Sequence, residues 1–145
     1  MDARRFERVL HSRLEDIGTL ADALDTWGES LDVPMATLGS VNLMLDELIT
    51  NVILHGYGPQ GQGSIEVCID CLDQALDVTL RDQAPPFDPL SVPEPDTTLD
   101  IDAREIGGLG VHFVRRMADV VDYHHDGQSN VLHLRKNFPP TGGTA

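Results

Sequence analysis

Glu47, Asn51 and His55 are the residues that could do chemistry together. They recur every fourth residue in the stretch Glu47-Leu-Ile-Thr-Asn51-Val-Ile-Leu-His55-Gly56-Tyr57. At about 100° per residue they fall on one narrow stripe of a helix. Val41, Leu45, Leu48, Ile49 and Val52 lie about a quarter turn away, on a broad face suited to a core. Leu43, Met44 and Leu54 flank the polar stripe. A carboxylate and a carboxamide walled by aliphatics are costly to bury unpaired, so they imply a ligand or exposure. A solvated helix face would account for this stretch by itself; two later stretches shift the balance.

The first is Asp82, whose parity matches the apolar Leu76, Val78 and Leu80 of an alternating strand. It is an inward carboxylate at a strand end. It could accept a hydrogen bond from an exocyclic amine such as that of adenine, although a turn cap uses the same residue type. The second is Gly107-Gly108-Leu109-Gly110, which leads into a helical pattern at Val111, Val114, Met117 and Ala118. Glycines let backbone N–H groups approach a phosphate, and a helix N-terminus adds a favourable dipole. Magnesium takes few protein ligands beside phosphate oxygens and water, so one asparagine such as Asn51 can suffice. Glu47, one turn earlier, could take a proton from an attacking hydroxyl or water. Together the three stretches offer the parts of a magnesium-nucleotide site.

The elements that must position these groups follow from hydrophobic periodicity. Residues 4–11 read as a first strand, with Phe6, Arg8 and Leu10 in one parity. Leu14, Ile17, Leu20, Ala21, Leu24, Trp27 and Leu31 mark a first helix. A second helix starts at Pro34, a residue suited to the first turn, and runs to about Leu54. Gly56, Gly58 and Pro59 then stop it. Residues 64–71 and 75–82 alternate and form a hairpin. Five prolines between Pro85 and Pro95 exclude a helix or central strand there. A loop this long, from Pro85 to Ile106, is usually functional or disordered. After the helix behind the glycines come two strands, about Val120–His124 and Asn130–Phe138, with a turn at Asp126-Gly127. The expected fold is α/β (α+β): a two-layer sandwich with a mixed, mainly antiparallel sheet and helices on one face. One domain should span residues 1–138, with a disordered tail over 139–145.

Composition narrows the function classes. The formal net charge of −14 over 145 residues argues against nucleic-acid backbone binding, which needs a cationic surface. It suits basic protein partners or phosphate ligands met at a local site. No apolar run approaches about 20 residues, so no membrane span is expected. The first residues lack the apolar region of a signal peptide, which makes the cytoplasm the expected location. Cys68 and Cys71 sit three apart in an alternating strand, on opposite faces. They therefore read as ordinary strand residues rather than a metal or redox pair. Arg104 and His112 flank the glycines and could meet phosphate, but exposed surface residues are the commoner case.

Glu47-Leu-Ile-Thr-Asn51, Asp82-Gln-Ala-Pro-Pro-Phe87-Asp88 and Gly107-Gly-Leu-Gly110 resemble, in order and spacing, the N, G1 and G2 boxes of the GHKL (Bergerat-fold) ATPases. His55-Gly56-Tyr57, the Pro-Pro-Phe-Asp-Pro loop and the short chain resemble one branch, the bacterial anti-sigma factors with serine kinase activity, or switch kinases. The resemblance covers roughly residues 4–138. It implies that Asn51 ligates Mg2+ bridging the phosphates of ATP and that Glu47 is the catalytic base toward an acceptor serine. It implies nucleotide contacts from His55, Asp82, Ala84 and Phe87, and from Gly108, Leu109, Gly110 and Val111. Residues 85–106 would be the ATP lid. The acceptor would be a serine on an anti-anti-sigma (STAS-domain) protein, whose unphosphorylated form releases a sigma factor. A homodimer through the sheet or first strand is also implied.

Two positions depart from the family pattern. Ala84 stands where the G1 box usually has glycine, which would be costly if that backbone needs a positive φ. Where the family often has a threonine near adenine, this chain reads Ser129-Asn130-Val131, leaving Ser129 and Asn130 as candidates. Two alternatives remain beside the kinase: a nucleotide-dependent partner-switching module with little kinase activity, and a histidine-kinase-type ATPase domain. The latter usually needs a preceding helix with an acceptor histidine. Here the first ~50 residues are committed to the domain's own elements.

Overall fold

In the computed structural model, the described residues are 3–58, 63–86, 88 and 108–139, with 108–112 described by backbone alone. The elements run β1 (Arg5–His11), α1 (Glu15–Ser30), α2 (Met35–Asn51), a π-helical turn (Val52–Tyr57), β2 (Ser64–Cys71), β3 (Ala75–Asp82), α3 (Gly108–Met117), β4 (Val120–His125) and β5 (Asn130–Asn137). The order matches the periodicity of the sequence. The sheet runs β1-β2-β3-β5-β4, and each neighbouring pair is antiparallel. The mainly antiparallel sheet expected is therefore antiparallel throughout its described strands. β3 and β4 point the same way, but β5 lies between them, so no parallel pair forms.

The sheet has one apolar face. Ile65, Val67, Ile69 and Cys71 of β2, Leu76, Val78 and Leu80 of β3, and Leu132 and Leu134 of β5 are buried. They meet Leu20 and Leu24 of α1, Val41, Leu45, Leu48 and Ile49 of α2, and Val114 of α3 in one core. Trp27 ties β1 to α1: its ring lies 5.4 Å from that of Phe6, and its indole N–H donates to Ala3 O at 2.9 Å. Asn42 Nδ2 donates to Asp25 Oδ1 at 2.9 Å and links α1 to α2. The opposite face of the sheet carries ion pairs, among them Arg135–Asp77 at 3.1 Å and Arg81–Asp126 at 2.7 Å.

Helix α2 differs from its sequence reading in two ways. Met44, placed beside the polar stripe, is fully buried, while Leu43 and Leu54 are exposed. The core-facing surface is wider than the sequence stripe, because α2 also packs on α1 and α3. The helix also does not stop near Leu54. It widens into the π-helical turn, closed by Gly58 N–H donating to Ile53 O at 3.0 Å. Met35–Tyr57 is then long and apolar enough to cross a membrane by length and composition alone, with a mean hydropathy of 1.2. Seven residues of α2 are buried within the fold, which accounts for that apolarity as a core helix.

Phe87, most of the expected lid (residues 89–106) and residues 140–145 of the expected tail lie outside the described residues. Cys68 and Cys71 are both free thiols, as their opposite facing requires.

Candidate functional site

Strands β3 and β5 build one wall of a cavity. The β-ladder sets Asp82 directly across from Asn130. Asp82 is 7% exposed and Asn130 6%, so each must satisfy its polar atoms within the fold or through a ligand. Asp82 Oδ1 accepts the Ala84 backbone N–H at 3.0 Å and Asn130 Nδ2 at 2.9 Å. Asn130 Nδ2 also faces Ala84 O at 3.0 Å and Pro85 O at 3.4 Å. The Tyr123 hydroxyl donates to Asn130 Oδ1. Asp82 Oδ2 meets no donor among the described residues. A buried carboxylate oxygen without a donor calls for one from a ligand.

Helix α2 supplies the other wall. Leu48, Asn51, Val52 and Gly56 line the same cavity as Leu80, Asp82, Ala84, Tyr123, Asn130 and Leu132. The walls are mostly apolar, with a few convergent polar groups, the usual make-up of a small-molecule site. Asn51 is half-buried and is the last α-helical residue before the π-helical turn. Such turns are frequent at functional sites because they re-aim side chains out of the α-helical register. His55, inside this turn, is exposed and does not line the cavity. Glu47 is half-buried one turn before Asn51 and is not part of the cavity wall. Neither Glu47 nor Asn51 has a hydrogen-bond partner among the described residues. Asn51 thus keeps a side-chain oxygen for a cation that phosphate and water would otherwise ligate, which fits Mg2+.

Tyr57 fixes the end of the π-helical turn. Its hydroxyl donates to Ser64 O at 2.7 Å and accepts the Gln83 N–H at 2.9 Å. Burial raises its pKa, with the nearby Asp82 charge adding to the rise and the Gln83 hydrogen bond opposing it. A side chain at Gly63 would come within 2.2 Å of the Tyr57 ring, so glycine is required for that approach. Tyr57 thereby links the end of the helix to the strand that carries Asp82.

Ala84 resolves the departure in the G1 stretch. Among the described residues, Asp32 is the one non-glycine with a positive φ, so Ala84 bears no left-handed strain. It is 4% exposed, and a Cβ added at Gly56 would lie 3.0 Å from its methyl group. The methyl of Ala84 therefore occupies space left open by glycine at position 56.

A profile of the histidine kinase-like ATPase domain matches residues 10–136. The chain belongs to the histidine kinase-like ATPase domain family. Among similar proteins, an anti-sigma F factor of Bacillus licheniformis is 24% identical over 109 residues, covering 74% of this chain and 75% of that protein. A blue-light-activated histidine kinase 2 of Erythrobacter litoralis is 27% identical over 101 residues, 69% of this chain and 26% of that protein. The crystal structure of the RsbU and RsbW domains of Rv1364c from Mycobacterium tuberculosis superposes with a TM-score of 0.66 at 13% identity. That match covers 97% of this chain, which spans about a third (34%) of the solved one. These findings agree with the GHKL resemblance and its anti-sigma and kinase branch, and the family makes ATP the expected nucleotide.

Among the described residues α3 runs from Gly108, so Gly108, Leu109 and Gly110 lie within it rather than ahead of it, and Val111 follows. Backbone N–H groups of a first turn have no intrahelical acceptor, which is what a phosphate uses. Sequence reasoning left Asn130 level with Ser129 and did not single out Tyr123. Ser129 is buried in the turn held by Asp126, whose Oδ1 accepts its backbone N–H at 2.7 Å. Asn130 is the one whose side chain reaches Asp82.

Proposed function

We propose that this chain is an ATP-dependent protein serine kinase and anti-sigma factor that phosphorylates an anti-anti-sigma STAS-domain protein. The observation that carries the reading is Asp82: a buried carboxylate with one oxygen left for a ligand, in a cavity that Asn51 also lines. The adenine amine donates to Asp82 Oδ2. Asn51 would hold Mg2+, which would neutralise phosphate charge when bound. The first turn of α3, from Gly108 to Val111, receives the phosphates. Family resemblance assigns nucleotide contacts to Phe87 and His55 as well.

Glu47 serves as the base. The acceptor serine oxygen bonds to the γ-phosphorus, the bond from that phosphorus to the β,γ-bridging oxygen breaks, and ADP leaves. The serine proton passes to Glu47, whose carboxylate has no competing partner among the described residues. The anti-sigma role follows from the branch: unphosphorylated STAS protein displaces a sigma factor, and phosphorylation restores its capture.

The test mixes the purified chain with labelled ATP, magnesium and the STAS protein encoded beside it. Label on a serine of the STAS protein is expected. Magnesium-dependent ADP binding with no transfer would overturn the kinase and leave a partner-switching module.

A further inference from the structure

We infer that Asn130 and Tyr123 are positioning residues that set the base selectivity of the cavity for a 6-aminopurine over a 6-oxopurine. The inference rests on the adenine reading of the cavity and deepens it. Asn130 Nδ2 lies within hydrogen-bond range of three oxygens: Asp82 Oδ1 at 2.9 Å, Ala84 O at 3.0 Å and Pro85 O at 3.4 Å. A carboxamide oxygen in that place would face three acceptors, so only the amide nitrogen fits. This fixes the orientation of the whole amide. Asn130 Oδ1 then faces Tyr123, and the tyrosine hydroxyl donates to it. Tyr123 thus locks the amide from its far end.

The consequence falls on Asp82. Its Oδ1 collects the Ala84 N–H and the Asn130 amide, so every donor the described residues bring goes to one oxygen. The carboxylate is held in place by Oδ1, and Oδ2 is an acceptor without a protein donor. A purine amine at position 6 satisfies it. A carbonyl there sets acceptor against acceptor and leaves both unpaired, the kind of mismatch by which buried polar sites reject analogues. Without the amide donor, the Ala84 N–H alone holds Oδ1, and the carboxylate is less firmly fixed in the orientation that turns Oδ2 to the base.

Calorimetric titration of the full chain with ADP and with IDP tests this, since both share the phosphates and ribose. The wild-type chain should prefer ADP by roughly 10–100-fold. Asn130→Asp puts a second carboxylate beside Asp82. Two such groups in contact share a proton, and the resulting O–H can donate to a 6-oxo group. The ADP-to-IDP preference should fall at least about tenfold in this variant, and more at pH 6 than at pH 8. Tyr123→Phe keeps the three acceptors around Nδ2 but removes the lock, so the preference should fall by about threefold. A purely structural role would weaken ADP and IDP alike. Unchanged preference in Tyr123→Phe and in a folded Asn130→Asp would overturn the inference while leaving the adenine site intact; if Asn130→Asp does not fold, Tyr123→Phe alone decides. Equal affinity for ADP and IDP in the wild-type chain, or no binding of either, would overturn the adenine reading itself and this inference with it.

Discussion

The strand side and the helix side of the cavity differ in how much of their polarity the protein itself satisfies. On the strand side, Asp82, Ala84, Asn130 and Tyr123 form a connected set of hydrogen bonds, and one carboxylate oxygen is left over. On the helix side, Asn51 and Glu47 stand half-buried without protein partners among the described residues. The strand side is preorganised to recognise a fixed group, because its geometry is set by the register of β3 and β5 before any ligand arrives. The helix side has groups whose partners arrive with the reaction: a cation, phosphates and an acceptor hydroxyl. Substitutions on the strand side should therefore change affinity, and substitutions on the helix side should change rate.

Glu47→Ala is the strongest test of that division. Losing a general base commonly slows a reaction by about 10²–10⁴-fold. Phosphoryl transfer should fall by that factor while ADP and STAS-protein affinity stay at wild-type values in equilibrium titration. Full transfer by the variant would remove the base role and leave Glu47 as a surface carboxylate.

Asp82→Asn comes next. The new amide either turns its oxygen toward Asn130 Nδ2 and Ala84 N–H, presenting an NH₂ group to the adenine amine, or breaks both of those hydrogen bonds. In the first case donor faces donor. Affinity for ADP should fall roughly 10–150-fold, the range for a buried polar mismatch. Unchanged affinity in a folded variant would mean that the base sits elsewhere.

A smaller effect should come from Gly56, where the two sides touch. A methyl at position 56 would sit 3.0 Å from that of Ala84, tighter than ordinary contact. Gly56→Ala should cost about 1–3 kcal/mol, the usual range for overpacking. Adding Ala84→Gly should recover most of the loss, which chemical denaturation of the four members of the cycle would measure. Additive losses would show that the pair does not share one space.

Much of this was legible in the sequence because it rests on local signals. Alternation placed Asp82 inward at the end of β3, and the period of α2 put Glu47 and Asn51 on one side. The part that was not legible depends on non-local pairing. Asn130 meets Asp82 because β5 inserts between β3 and β4, and no local pattern states that order. The π-helical turn was hidden for a different reason. It ends at Tyr57, whose hydroxyl bonds to Ser64 O and Gln83 N–H, partners that the period of α2 does not report. An ideal helical period placed His55 with Asn51, whereas the real chain leaves it exposed and outside the cavity wall. The strain feared at Ala84 depended on a φ that residue type alone does not report.

The mildest expected effect lies on the far face of the sheet and tests whether the cavity is independent of it. His133 sits there between two carboxylates, with Nε2 2.7 Å from Asp77 Oδ1 and Nδ1 3.3 Å from Asp122 Oδ2. Burial disfavours the charged ring, but the hydrogen bonds and charges of Asp77 and Asp122 outweigh it, so the His133 pKa is raised. Arg135, 3.1 Å from Asp77, shares that carboxylate. A raised folded pKa means that the folded chain holds the proton more tightly than the unfolded one. The stabilisation is complete below the unfolded value of about 6.5 and is lost as pH rises through the folded value. Between pH 6 and pH 8 the wild-type melting temperature should fall more than that of His133→Gln. In β5 the side chains of residues 130, 132 and 134 face the helices, whereas His133 faces away, so ADP affinity in His133→Gln should equal that of the wild-type chain. A change in ADP affinity would mean that the strand side of the cavity is not fixed by its own hydrogen bonds, but also by the charge balance on the opposite surface of β5.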